Sequence, residues 1–394
     1  MDFSLSPEQQ AFRDELRTWL RDNLSDEFRI RRGRVADKDW LATRVRWQRR
    51  VYEGGYAGIS WPKEYGGRGA SLIEEMIFNQ EIVGARAPEM VNGIGLYMAG
   101  PTIIAHGTPD QKTRYLAPLL SGDEIWCQGF SEPNSGSDLA SLRTRAVRDR
   151  DDYVVNGQKV WTTLGHVARF CILLTRTGSQ ESRHGGLTYM IVDMTSPGVE
   201  VRPLRQITGD AEFNEIYFTD VRVPAANLLG EEGAGWKVAM TTLMHERASL
   251  GVGLQVRTRI ALEDLMTLAR AAHPGNGGLD PLLRQEIAQL AIDVEAMRLN
   301  SYRGLTRMLR GDQPGPEGSI NKLMWSEVNQ RLCDTALEVV GSQALLGEGE
   351  ELAEAEGRWS YAMLRSRANS IEGGTSEVLR NILAERVLGL PRGR

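Results

Sequence analysis

Between positions 128 and 138 the chain reads Gln128-Gly129-Phe130-Ser131-Glu132-Pro133-Asn134-Ser135-Gly136-Ser137-Asp138, dense in small, hydroxyl and turn residues. That composition lets a backbone approach a ligand closely and offers it hydroxyl groups; it is equally the composition of a surface turn. Further on, Trp161-Thr162-Thr163 sets a large aromatic face beside two hydroxyls, a ligand wall or a core tryptophan. A third candidate is Glu246-Arg247. At about 100° per residue Trp236, Met240, Leu243 and Leu250 form one apolar stripe, with Arg247 near its centre and Glu246 on its shoulder. Charges on an apolar face need a reason, and a partly buried ion pair or a subunit contact is one. His245 falls on the opposite side of the wheel, toward solvent or an interface.

Other chemistries lose their usual support. No GxGxxG follows a strand, no GxxxxGK[ST] occurs and no serine sits in a GxSxG elbow. The five histidines, His106, His166, His184, His245 and His273, lack metal-ligand spacing, so no metal site is expected. Cys127, Cys171 and Cys333 are far apart, which points away from a disulfide framework or zinc and toward a reducing cytoplasm. With 47 Lys+Arg against 52 Asp+Glu the net charge is −5, without the basic footprint of a nucleic-acid binder. The N-terminus lacks a signal-peptide pattern, and no run of about 18 apolar residues could span a bilayer, so neither export nor membrane insertion is expected.

The elements that must position these residues fall into three parts. A length of 394 residues implies two or three domains at about 150 residues each. Ser6-Pro7 opens a helix, with Gln9 placed for a capping box and Phe12, Leu16, Trp19 and Leu20 on one face. Helical patterns continue over residues 1–120, broken at Trp61-Pro62, Tyr65-Gly66-Gly67 and Ala99-Gly100-Pro101. Residues 121–230 read as a β-domain, whose clearest hairpin turns at Asn156-Gly157. Residues 231–394 return to long helices, with loops at 273–278 and 311–318. A last helix runs from Thr375 to Leu388, stopped by Gly389 and Pro391.

The order SEPNSGSD, DDYVVNGQKVWTT, VRVPAANLLGEEGAGW, LMHERASLG and SIEGGTSEVLRNILAERVLGLPR resembles the acyl-CoA dehydrogenase family over nearly the whole chain. The resemblance implies an α+β fold in which an N-terminal helical domain, a central β-domain and a C-terminal four-helix bundle surround FAD. It implies that Gln128, Phe130, Ser131 and Ser137 hold the flavin, that Trp161 is its aromatic wall, and that Thr162 and Thr163 lie along the isoalloxazine. Glu338, Gly341, Thr375 and Glu377 match segments that contact the adenosine end. Many members carry Gln at position 338 and a second glycine where this chain has Ser342, and HPGNGG stands where Arg-x-x-Phe-Gly is expected.

The family reaction takes a proton from Cα of an acyl-CoA thioester and a hydride from Cβ, so a carboxylate must sit at Cα. Many members place that Glu immediately before the Gly-Thr of the last motif, where this chain has Gly373; Glu372 is one position earlier. A second family solution puts the Glu just before an Arg on the first long helix after the β-domain, and Glu246-Arg247 matches it. The resemblance therefore implies Glu246 as base, with Glu372 the alternative and the Gly373 amide polarising the thioester carbonyl. For the substrate it implies contacts from Ser137, Met244, Arg247 and Gly374, and for electrons an electron-transferring flavoprotein. The expected assembly is a homotetramer or heterotetramer. A partly catalytic or structural subunit, or an oxidase of the same fold, are the competing readings.

Overall fold

The computed structural model describes residues 4–28, 39–272, 278–311, 315–348 and 350–392, with the side chains of 246–252 and 355 outside that description. Among the described residues are ten α-helices and seven strands. Helices come first, the strands lie centrally and helices close the chain, as the sequence pattern leads one to expect. The chain divides into two compact units. One comprises Thr18–Ser71 and Ala87–Glu246; the other comprises Met1–Arg17, Leu72–Arg86 and Arg247–Arg394.

Helix α1 (Pro7–Asn23) starts as its sequence dictates: the Ser6 N–H donates to Gln9 Oε1 at 2.9 Å and the Gln9 N–H donates to Ser6 Oγ at 3.3 Å. In the first unit α2 (Trp40–Glu53) and α5 (Pro109–Ser121) flank a polar core. There the Gln48 side chain donates to the carbonyls of Leu119 and Leu120, and Asn92 donates to Leu119 and Glu124 while accepting from the Trp126 N–H. These amides satisfy backbone groups that would otherwise be buried unpaired, and so fix where the first strand begins. The segment around Gly100-Pro101 is not a break. A π-type turn over Gly95–Ala99 runs directly into α4 (Gly100–His106), because proline in a first turn has no amide to lose.

The sheet is ordered β1 (Trp126–Gly129), β4 (Phe170–Arg176), β2 (Arg145–Asp149), β3 (Asp152–Thr163), β7 (Phe213–Pro224), β6 (Val199–Leu204), with β5 (Leu187–Asp193) pairing β4. Its core includes Tyr153, Val155, Cys171, Leu173, Met190, Val192, Ile216 and Phe218. The hairpin expected at Asn156-Gly157 is not there. The turn falls at Arg150-Asp151, between Asp149 and its partner Asp152, and Asn156-Gly157 lies inside β3. Opposite it, β7 carries an extra residue between Phe218 and Val221, and Asn156 grips that bulge through reciprocal bonds with Asp220. Position 157 must be glycine because a Cβ there would lie 2.5 Å from Thr144 Oγ1.

In the second unit α7 (Pro281–Leu309), α8 (Gly318–Val340), α9 (Arg358–Ser366) and the later turns of α6 (Gly235–Ala272) share one apolar core. Leu265, Leu290, Val294, Leu332 and Trp359 lie at its centre. Helix α10 (Ser376–Arg386) starts at Thr375, whose side chain accepts from the Val378 N–H, and ends before Gly389 in a left-handed conformation.

Candidate functional site

A bulge decides which way Trp161 faces. Along β3 the inward positions are Tyr153, Val155 and Lys159, so strict alternation would send residue 161 into the core as well. Instead Lys159 pairs with Ile216 and Thr162 with Asn214, three steps on β3 against two on β7. The extra residue moves Thr162 into the inward place and turns Trp161 outward, at φ +62 and 60% exposed. Trp161 is therefore not a core tryptophan. Thr163 is half-buried, and the Thr162 hydroxyl is buried with no hydrogen-bond partner among the described residues.

The loop after β1 is clamped to this strand. The Val160 N–H donates to the Ser131 carbonyl at 2.9 Å, and the Lys159 ammonium, fully buried, donates to the Phe130 carbonyl and to Glu132, each at 2.9 Å. Glu132 also accepts from the N–H groups of Arg143 and Thr144 at 2.7 and 2.8 Å. Burial alone would raise the Glu132 carboxyl, but the Lys159 charge and these bonds outweigh it and hold the group below its usual range. Burial pushes the Lys159 ammonium down against the pull of Glu132. Gln128 and Ser131 are half-buried and Ser137 is exposed. Phe130 is buried edge-on against Tyr189, which leaves its backbone rather than its ring for a ligand. An outward indole, hydroxyls beside it, an orphaned Thr162 Oγ1 and a rigid backbone loop fit a flat polar-edged cofactor such as a flavin.

In the other unit the last motif forms a turn built on two left-handed glycines, Gly373 at φ +62 and Gly374 at φ +96. Helix α8 grips it: Lys322 donates to the carbonyls of Asn369 and Gly374, each at 2.7 Å, and Ser326 donates to Asn369 at 2.8 Å. Glu372 is held in a two-point pair with Arg365, at 2.9 and 3.2 Å, and accepts from Asn369 at 2.8 Å. A carboxylate so occupied is a poor free base. Gly373 lines a cavity of about 20 Å³ with Gln255, Lys322, Ser319 and Leu379, room for a single water. Thr375 is half-buried as the α10 cap, while Glu338, Gly341, Ser342 and Glu377 are exposed and open to a ligand.

Early α6 packs on a different stripe from the one its large apolar residues draw. Gly235, Val238, Ala239 and Thr242 are buried, whereas Trp236, Met240 and Leu243 are only half-buried. Small residues let the helix sit close to its neighbours, so packing follows them and not the bulkiest side chains. Met244 is 52% exposed and His245 is exposed. Positions 246 and 247 continue the helix, and the side chains of Glu246 and Arg247 lie outside the described residues, as do Leu250 and the loop 273–277. Lys159, Lys322 and the Thr102, Tyr189 and Thr242 hydroxyls escaped sequence reading. A lysine reads as surface, and only the inward phase of β3 hinted at the first.

Among the described residues no helix is long and apolar enough to cross a membrane, and no group of three or more His, Cys, Asp or Glu is placed to hold a metal ion. Family models for the acyl-CoA dehydrogenase N-terminal, middle and C-terminal domains match residues 6–123, 127–221 and 233–388. Acyl-CoA dehydrogenase IpdE1 of Mycobacterium tuberculosis is 41% identical over 389 residues, 97% of this chain and 98% of that protein. The Tcur3481-Tcur3483 steroid ACAD structure superposes with TM-score 0.88 at 30% identity, covering 100% of both chains. The ChsE4-ChsE5 complex from Mycobacterium tuberculosis gives TM-score 0.86 at 33% identity, again over 100% of both chains.

Proposed function

The chain belongs to the acyl-CoA dehydrogenase family of FAD-dependent flavoproteins, and on that premise we propose that it converts an acyl-CoA thioester to its trans-2-enoyl-CoA with Glu246 as base. The cofactor supplies a hydride acceptor for the substrate's Cβ. Trp161, Thr163, Ser131 and the backbone of the 128–137 loop hold its ring system, and Gly341, Glu338, Thr375 and Glu377 meet its adenosine end. Arg247 keeps Glu246 ionised beside an acyl group that excludes water, since a neighbouring positive charge favours the carboxylate while desolvation strengthens it as a base. The Gly373 N–H polarises the thioester carbonyl and acidifies the α-hydrogen. Ser137, Met244 and Gly374 contact the substrate.

The observation that carries this reading is the β3 bulge, which turns Trp161 outward beside a loop locked by the Lys159–Glu132 pair. Glu372 is the weaker base because Arg365 and Asn369 occupy both its oxygens. We assign electrons to an electron-transferring flavoprotein and the chain to the cytoplasm, where its three unpaired, buried cysteines stay reduced. The steroid ACAD relative favours a polycyclic acyl group as the first substrate class to test. The ChsE4-ChsE5 complex favours a tetramer of two chain types over a homotetramer.

The test is anaerobic titration of the purified protein with linear, branched and steroid side-chain acyl-CoA thioesters. We expect a yellow protein whose flavin is bleached by at least one of them and reoxidised by an artificial acceptor. A colourless protein that takes up no added FAD overturns the reading in favour of a structural subunit. Rapid turnover on oxygen alone would make it an oxidase.

A further inference from the structure

Three buried hydroxyls lie in a row where the first turns of α6 pack within the first unit. Tyr189 Oη on β5 is 2.9 Å from Thr242 Oγ1 on α6, which is 2.9 Å from Thr102 Oγ1 on α4. Thr102 lies 2.7 Å from the Met98 carbonyl, and all three side chains are completely buried. Counting protons gives the row a direction. Thr102 spends its one proton on Met98, so Thr242 donates to Thr102 and receives from Tyr189. Burial drives the Tyr189 phenol upward, which keeps the proton it must give. The Val238 carbonyl lies 3.2 Å from Thr242, farther than Thr102. Next door, Thr241 Oγ1 is 2.8 Å from His106 Nε2, so two consecutive α6 residues are tied to α4.

These ties constrain what apolar packing leaves loose. Val238 and Ala239 hold α6 down, but contacts between smooth aliphatic surfaces tolerate small rotations, whereas a directional chain of hydrogen bonds fixes both rotation and height. Thr242 stands four residues, one helical turn, before Glu246. At its other end Tyr189 packs edge-on against Phe130, ring centroids 5.7 Å apart, and the Phe130 carbonyl is the one Lys159 holds. A single buried row thus joins the loop assigned to the cofactor with the helix turn that precedes the base.

We propose that Thr242, Tyr189 and Thr102 are positioning residues that set the rotation of α6 relative to the 130–132 loop, so that the base proposed at 246 meets the substrate in register with the cofactor which that loop would hold. The proposal rests on Glu246 being the base. Proton removal from Cα and hydride departure from Cβ are coupled, so a small misplacement of one partner is costly: about 1 Å is enough for a loss on the order of 10²-fold.

The test compares Thr242→Val and Tyr189→Phe, which keep shape and remove a hydroxyl, with Thr242→Ser, which keeps the hydroxyl. For each, bound FAD, thermal midpoint, kcat, KM and the primary isotope effect with α-deuterated acyl-CoA are measured. We expect FAD content and KM to hold while kcat falls by about 10-fold or more, the isotope effect to rise, and Thr242→Ser to recover most of the rate. Wild-type kcat in both hydroxyl-free variants overturns the proposal, as does a loss of rate that merely parallels loss of FAD or stability. Glu246→Gln measured alongside separates the two claims. An active Glu246→Gln enzyme removes the base assignment, whereas an inactive one beside a fully active Thr242→Val removes only the positioning role.

Discussion

Two buried lysines hold two loops through backbone carbonyls, but only the first works beside a buried carboxylate that grips backbone N–H groups. After β1 the principal clamp is a carboxylate: Glu132 accepts from the N–H groups of Arg143 and Thr144, and Lys159 balances its charge while holding the Phe130 carbonyl. At the turn before α10 the clamp is an ammonium, with Lys322 donating to the carbonyls of Asn369 and Gly374. The first arrangement closes on a matched charge pair and makes a stiff wall. The second engages carbonyls, so that on the proposed reading the turn meets its ligand with N–H groups. A flat cofactor needs the one, and a thioester carbonyl that gains negative charge needs the other.

Lys159→Met should break the comparison most severely. It strands the buried Glu132 carboxylate at a cost of about 3–5 kcal/mol, so the protein should purify colourless with a lowered thermal midpoint. Adding Glu132→Gln should restore part of the flavin, because a neutral amide no longer needs the ammonium. Lys322→Met takes the ammonium from the Gly374 carbonyl at a cost of about 1–3 kcal/mol, while the Asn369 carbonyl keeps its bond from Ser326; here the flavin absorbance should persist while turnover drops. If Lys322→Met stripped the flavin as completely as Lys159→Met, the two clamps would not serve separate partners.

Smaller effects sharpen the same contrast. Trp161→Ala removes an aromatic wall worth about 1 kcal/mol beyond simple burial, and titration of the apoprotein should show FAD affinity weakened by about five-fold. Acid should act on the wall first. The Glu132 carboxyl lies below its unfolded value in the folded protein, so its stabilisation is complete above about pH 4.3 and is lost as pH falls through the lower folded value. Thermal midpoints measured down through that range should fall in the wild type and change less in the Glu132→Gln, Lys159→Met protein. Replacing Arg247 by Met should move the pH profile of turnover upward, since it removes the charge that favours the ionised base.

The helix–sheet–helix order and the motif set were legible because capping residues, strand runs and loop composition act locally. Ser6-Pro7 and Thr375 begin helices where the sequence says they must. What failed to read was non-local. Asn156-Gly157 has the chemistry of a tight turn, yet here Asn156 secures a bulge in the strand opposite and Gly157 makes room for Thr144. The packed face of early α6 follows small residues, which a wheel drawn from bulky ones misses. The outward turn of Trp161 depends on one extra residue in β3, and pairing partners set that register.

The base assignment is tested most directly by rapid mixing of wild type, Glu246→Gln and Glu372→Gln with a reactive acyl-CoA under anaerobic conditions, following the flavin absorbance. Glu372→Gln alters a pair whose side chains are about one-third exposed, which contributes at most about 1 kcal/mol, so its flavin should bleach at close to the wild-type rate. Glu246→Gln should retain its FAD and bleach slower by about 10²-fold or more. Wild-type bleaching in Glu246→Gln together with a silent flavin in Glu372→Gln would contradict the account and move the base to the turn before α10.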